Sequence, residues 1–436
     1  MRCNSAKVMA VGTLFLLGAT PAFAETAVSR VDTGDTAWVL LSAALVMLMT
    51  PGLAIFYGGM VRRKNILGTM LQSFIALGVV SIQWALIGYS LSFGPDLHGI
   101  IGDLSWAGLR GVGLEPNADY APTIPHQAFM AFQMMFAVIT PAVISGAFAE
   151  RFKFGAYLLF VIFWTTLVYD PLCHWVWAKG GWLHGMGVLD FAGGIVVEIN
   201  SGMSALAAAW FIGSRRGYPH EPMLPHNLPL TLLGGGLLWF GWFGFNAGSA
   251  VASGGLATAA FVATHLATAA AVMGWLLVEW KHRGKPTLLG AVSGAVAGLV
   301  AITPACGFVG PVAAITIGLV AGAVCYGAVV AKFRMGYDDT LDAFGVHGIG
   351  GMIGMVGTGL FAAVAINAAG ADGFFNGGAA LLGKQVLGIA VGAAWAFGGT
   401  YVILKVLDKA VGIRVTREEE TQGLDLAQHG ENAYTM

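Results

Sequence analysis

Long apolar runs, each close to the length an α-helix needs to cross ~30 Å of hydrocarbon, recur along nearly the whole chain. Short polar segments separate them. They fall at residues 38–60, 68–93, 127–147, 154–172 and 191–212, then at 228–247, 256–280, 288–303, 309–331, 344–366 and 385–407. The pattern predicts about eleven transmembrane helices. Unbroken runs of this length exclude a barrel, whose strands alternate apolar and polar positions. The fold class read from the pattern is an all-α polytopic membrane protein.

Basic residues orient the spans. Arg62, Arg63 and Lys64 follow the first run, Arg151 and Lys153 the third, and Arg215 and Arg216 the fifth. Lys281, Arg283 and Lys285 follow the seventh, and Lys332 and Arg334 the ninth. Loops enriched in Lys and Arg stay in the cytoplasm, so every second loop is inside, the mature N-terminus is outside and the C-terminus inside. The start of the chain agrees. Arg2 and Lys7 precede a short apolar core, and Ala22-Phe23-Ala24 has the form of a cleavage site, so residues 1–24 read as a signal peptide. Residues 25–407 then form the transmembrane domain and 408–436 a polar cytoplasmic tail. Eleven spans fit an inverted five-plus-five repeat plus one, an arrangement that places a shared site at the midplane.

Two spans carry ionisable side chains in glycine-containing stretches that begin with an aspartate: DFAGGIVVEINSG, Asp190 to Gly202, with Glu198, and DAFGVHGIGG, Asp342 to Gly351, with His347. An ionisable group inside a span is costly and marks a cavity or transport path. At 1.5 Å per residue, Glu198 and His347 lie ~12 and ~8 Å beyond their aspartates, approached from opposite faces. Asp190 and Asp342 read as helix caps, with cation binding at Asp190 as the secondary reading.

Composition narrows the classes. The chain is 57% hydrophobic and 10% charged, with 64 glycines and a formal net charge of -1, which leaves no pull toward nucleic acid. The glycines suit close helix packing. Four cysteines are too few for a disulfide scaffold; Cys173, Cys306 and Cys325 read as buried thiols. A nucleophile elbow, an HExxH zinc motif and a phosphate loop are all missing from the sequence, so the reading is no enzyme, no metal and no cofactor.

The motifs point further. DFAGGIVVE-N-SG, WFGFNAGS at Trp242 to Ser249, PHNLP at Pro225 to Pro229, DAFGVHG, FYGG at Phe56 to Gly59, GAFAERFKF and the tail GLDLAQHGENAY resemble, in that family's order, the ammonium transporter family (Amt/Mep/Rh). The match is nearest the bacterial Amt type. The resemblance implies nitrogen uptake at the bacterial plasma (inner) membrane by a lipid-embedded homotrimer, each protomer with its own pore. It implies recruitment of ammonium at Trp177, Ser249 and Phe136, a gate of Phe136 and Phe245, and a pore pair at positions 198 and 347. Trp177 stands one residue farther from Asp190 than the family spacing. The pair is normally two histidines; here Glu198 replaces the first. The tail implies a PII-type signal protein as cytoplasmic partner. Two other readings share the motifs: an ammonium sensor that conducts little, and an Rh-like channel for another small neutral gas.

Overall fold

The computed structural model describes residues 30–434, so the expected signal peptide lies outside the described residues. Among the described residues, ten helices are long and apolar enough to cross a membrane, and one shorter apolar helix joins them. In chain order they are α1 Thr33–Met60, α2 Arg63–Phe93, α3 His126–Phe148, α4 (residues 154–177), α5 Gly194–Ile212, α6 Leu228–Gly248, α7 Gly255–Arg283, α8 Leu288–Ile302, α9 Pro311–Met335, α10 Phe344–Phe361 and α11 Ala379–Val411. Two small hairpins between α2 and α3 pair β1 Asp96–Leu97 with β2 Ile101–Gly102 and β3 Pro116–Asn117 with β4 Ala121–Pro125.

The ends differ from the apolar pattern where the backbone finds other partners. α10 stops at Phe361 instead of Ile366, because Ala363 N turns away to bond the carbonyl of Phe308. α4 continues past Leu172 to Trp177, and α11 begins six residues ahead of Gln385.

The helices pair as an inverted repeat requires. Along α1 and α6, Gly52 meets Leu238, Gly59 meets Thr231, and Gly248 meets Ser42. Position rises on one helix as it falls on the other, so the two run antiparallel. The same holds for α5 and α10, where Gly202 lies against the backbone of Gly348 and Gly351 against Glu198. A side chain at Gly202 would overlap that backbone, so only glycine permits the approach. First thus pairs with sixth and fifth with tenth.

The basic loops gather at one end of the bundle. Glu150 accepts from Arg62 N and Nε, both at 2.7 Å, and meets Arg215 Nη1 at 3.4 Å. Arg215 also forks onto Asp338, with Nε and Nη2 at 2.9 and 2.8 Å. The buried guanidinium of Arg151 donates to the carbonyls of Ala147, Ala149, Gly213 and Asp338 and to Thr340 Oγ1. It therefore satisfies the open ends of α3 and α5 and the segment leading into α10. Burial pushes the Glu150 carboxyl up, but the Arg215 and Arg62 guanidiniums outweigh it and hold the group below its ordinary value. A lowered folded value contributes stability above the unfolded pKa and loses it as pH falls through the folded one. Glu150→Gln should lower stability at neutral pH by about 1–3 kcal/mol, because it weakens the charged hydrogen bonds to Arg62 and Arg215 while Asp338 still pairs Arg215. It should also shrink the loss of stability on acidification below pH ~4. Thermal melting of the purified protein at both pH values measures this; identical curves for variant and wild type would remove Glu150 from the account.

The tail after α11 is packed. Helices α12 Arg417–Gln422 and α13 Leu424–His429 lie across the same basic end, and a capping box joins Thr416 and Glu419 at the start of α12. Asp425 accepts from Ile66 N and Gly68 N at 3.0 and 2.9 Å, capping the first turn of α2 from a distant part of the chain. Lys64 Nζ donates to Glu420 O and Thr421 O, and Arg414 Nη1 to Ile212 O at the end of α5.

Candidate functional site

The site lies on the antiparallel pair α5 and α10. Both open with a π-helical turn, Gly194–Ile199 and Phe344–Gly348, and these turns carry Glu198 and His347. A π turn shifts side-chain direction within an otherwise helical run and is common at functional positions. The two side chains meet at 2.7 Å between Glu198 Oε2 and His347 Nδ1, and both are buried. As a carboxylate, Glu198 accepts from Nδ1–H; as an acid, it donates to Nδ1. The other carboxyl oxygen, Oε1, is buried without a protein partner.

Both groups line a narrow cavity of about 20 Å³, with Phe245, Trp242, Ile139 and Val143 among its walls. That is room for roughly one water-sized molecule. Phe245 closes its other side, tilted against Phe136 with ring centroids 4.2 Å apart. Phe132, one turn earlier on α3, supports Phe136 edge-on at 5.0 Å. Trp177 meets Phe136 edge to face at 5.8 Å and is half-buried, whereas Phe136 is fully enclosed. Ser249, at the end of α6, donates its Oγ hydrogen to Phe245 O at 2.8 Å. Its lone pairs remain free to accept.

Asp190 caps α5 with both oxygens. Oδ1 accepts from Gly193 N and Gly194 N at 2.8 and 2.5 Å, and Oδ2 from Ile195 N and Val196 N at 2.7 and 3.3 Å. Its backbone carbonyl takes the Trp177 indole N–H at 2.9 Å. Asp342 behaves differently from the expected cap. Its φ is +63°, it pairs with Lys332, and Asp339 caps α10 instead, accepting from Ala343 N and Phe344 N at 3.1 and 2.8 Å. Sequence reading passed over Asp339. Three aspartates crowd positions 338–342, and only the backbone path selects which of them faces the open N–H groups. Cys173, Cys306 and Cys325 are free and buried.

Residues 37–434 match the sequence model of the Ammonium Transporter Family. The chain belongs to the ammonium transporter family. An "Ammonium transporter" of Bacillus subtilis (strain 168) is 56% identical over 402 residues, covering 92% of this chain and 98% of that relative. Among solved structures, Candida albicans Mep2 aligns with a TM-score of 0.85 at 36% identity, over 93% of this chain and 91% of that one. A structure described as "Sensor Amt Protein" aligns with a TM-score of 0.84 at 31% identity, over 91% and 98%. Family membership, eleven apolar helices and transporter relatives make the chain a multi-pass membrane protein of an ammonium transport family.

Proposed function

We propose that the chain carries ammonium inward across a bacterial inner membrane, through a pore in each subunit of a homotrimer. One observation supports this above the others: an unbroken line of contacts from half-buried Trp177 through Phe136 and Phe245 to a one-molecule cavity ending at Glu198 and His347. Ammonium is a small cation that gains from the Trp177 ring face and from a hydroxyl acceptor such as Ser249. Moving it bare into the apolar cavity is far costlier than moving neutral ammonia. NH4+ therefore gives up its proton at the Phe136/Phe245 gate, to solvent water on the Trp177 side or to the Glu198/His347 pair, and NH3 passes on. The hydrogen-bonded Glu198/His347 pair then relays that proton or, where water has taken it, steadies the substrate. Proteoliposomes given an ammonium pulse test this, with current and uptake recorded together. Saturable uptake is expected, and uptake without any current would leave the neutral form of the mechanism. Absence of both would overturn transport and favour the sensor reading, which the sensor-type structural neighbour keeps in view.

In this reading the basic end of the bundle is cytoplasmic, and the expected tail 408–436, whose first residues complete α11, is a regulatory segment that meets a PII-type protein. Deleting Gly423–Met436 removes the Asp425 cap from α2 and the Leu424 contact with Asn65. The bundle should remain intact, with weaker PII capture and altered current. Unchanged capture and unchanged transport would make the segment a bystander.

A further inference from the structure

With α1 and α6, and α5 and α10, paired across the repeat, α11 is the helix left over, and one of its side chains reaches into the site's foundations. Gln385 is fully buried. Its Oε1 accepts from Leu189 N at 2.9 Å and its Nε2 donates to Leu189 O at 2.7 Å, so one amide completes both backbone groups of one residue. The same Nε2 lies 3.8 Å from Met355 Sδ on α10. Leu189 immediately precedes Asp190, whose carbonyl holds Trp177 and whose carboxylate holds the first turn of α5.

A second, independent contact fixes α11 sideways. Side chains at Gly388 or Gly392 would come within 2.8 or 2.7 Å of Ile195, so α11 lies directly on the turn that carries Glu198. The amide sets the height of the Asp190 loop, and the glycines set the distance of α5 from α11.

We propose that Gln385 is a positioning residue for conduction: by clamping Leu189 it sets Asp190, and through it the spacing between Trp177 at the mouth and Glu198 in the pore. Gln385 does not line the cavity, and the inference rests on the transport reading above. Gln385→Leu leaves the half-buried N–H and C=O of Leu189 without their side-chain partner. The loop then relaxes, and the two ends of the path shift together. The half-saturating ammonium concentration should rise and the maximal current fall, each by about tenfold, the scale of losing two half-buried hydrogen bonds. Gln385→Glu should rescue both in mildly acidic medium, because a buried carboxylic acid is neutral there and offers one acceptor and one donor oxygen in the same places. Both variants leave Asp190 and Lys384, the charged groups nearest in sequence to this contact, unchanged.

The experiment measures ammonium current against concentration in proteoliposomes, normalised to inserted protein. A merely structural role would lower yield and melting temperature without moving half-saturation. Wild-type half-saturation and current in Gln385→Leu, or no rescue by Gln385→Glu, would overturn the inference. Should Gln385→Leu fail to assemble, Gln385→Glu decides alone. Its half-saturation should match wild type in acid and climb in alkaline medium beyond any change in wild type; equal curves overturn the proposal. A wild-type protein that carries no ammonium would instead remove the transport reading.

Discussion

Glu198→Gln should cut ammonium-evoked current by about a hundredfold, the low end of what a positioned proton-transfer group contributes. Glutamine keeps the size of the side chain and can still hydrogen-bond His347 Nδ1, now 2.7 Å from Glu198 Oε2. It cannot take up or release a proton. The buried Oε1 has no protein partner, so this oxygen is free for a passing molecule in the transport reading. A proton passed through this contact makes the readout the pH profile of the current as well as its size. Glu198→His supplies a titratable group again and should conduct with a displaced profile. Both variants must first be shown to reach the membrane intact. Wild-type current with an unchanged profile in Glu198→Gln would reduce Glu198 to a wall of the pore.

Much of the fold was legible because the bilayer leaves so few options. A span must be a long apolar helix with its backbone satisfied internally, and the chain writes eleven such runs in plain order. The basic residues after alternate runs foretold that these loops would share one end, where Arg62, Glu150, Arg215 and Asp338 now meet. The pairing of fifth with tenth was legible too, since Glu198 and His347 would each be costly alone.

What was not legible depends on backbone path or distant contact. Apolar runs look alike whether their first turn is α or π, so the turns carrying Glu198 and His347 left no trace in the pattern. Asp342 and Asp339 cannot be ranked as caps without knowing that Asp342 sits at positive φ. Gln385 reads as a stray polar residue at the edge of a span, and its partner Leu189 is 196 positions away. The tail offered one local signal, a Thr at 416 followed three residues later by Glu419, the spacing of a capping box. Its docking through Asp425 onto α2 had none.

Asp190→Asn should be among the most damaging single changes in the chain, and through the fold before the chemistry. The aspartate accepts four backbone N–H bonds at the start of α5. Asparagine keeps one acceptor oxygen but turns an amide nitrogen toward the remaining donors, leaving two buried N–H groups facing a third donor. Each such unpaired group costs about 1–3 kcal/mol, against a total stability on the order of 5–15 kcal/mol for a folded protein. Asp190→Ala leaves all four donors without their acceptor and should be worse. The loosened turn would carry Glu198 with it and release the carbonyl that holds Trp177. The yield of membrane-inserted protein and its melting temperature in detergent should both fall, with Asn intermediate between wild type and Ala. If Asp190→Asn instead inserts at wild-type yield, melts at the wild-type temperature and conducts nothing, the cap is dispensable and the carboxylate acts on the passing cation itself.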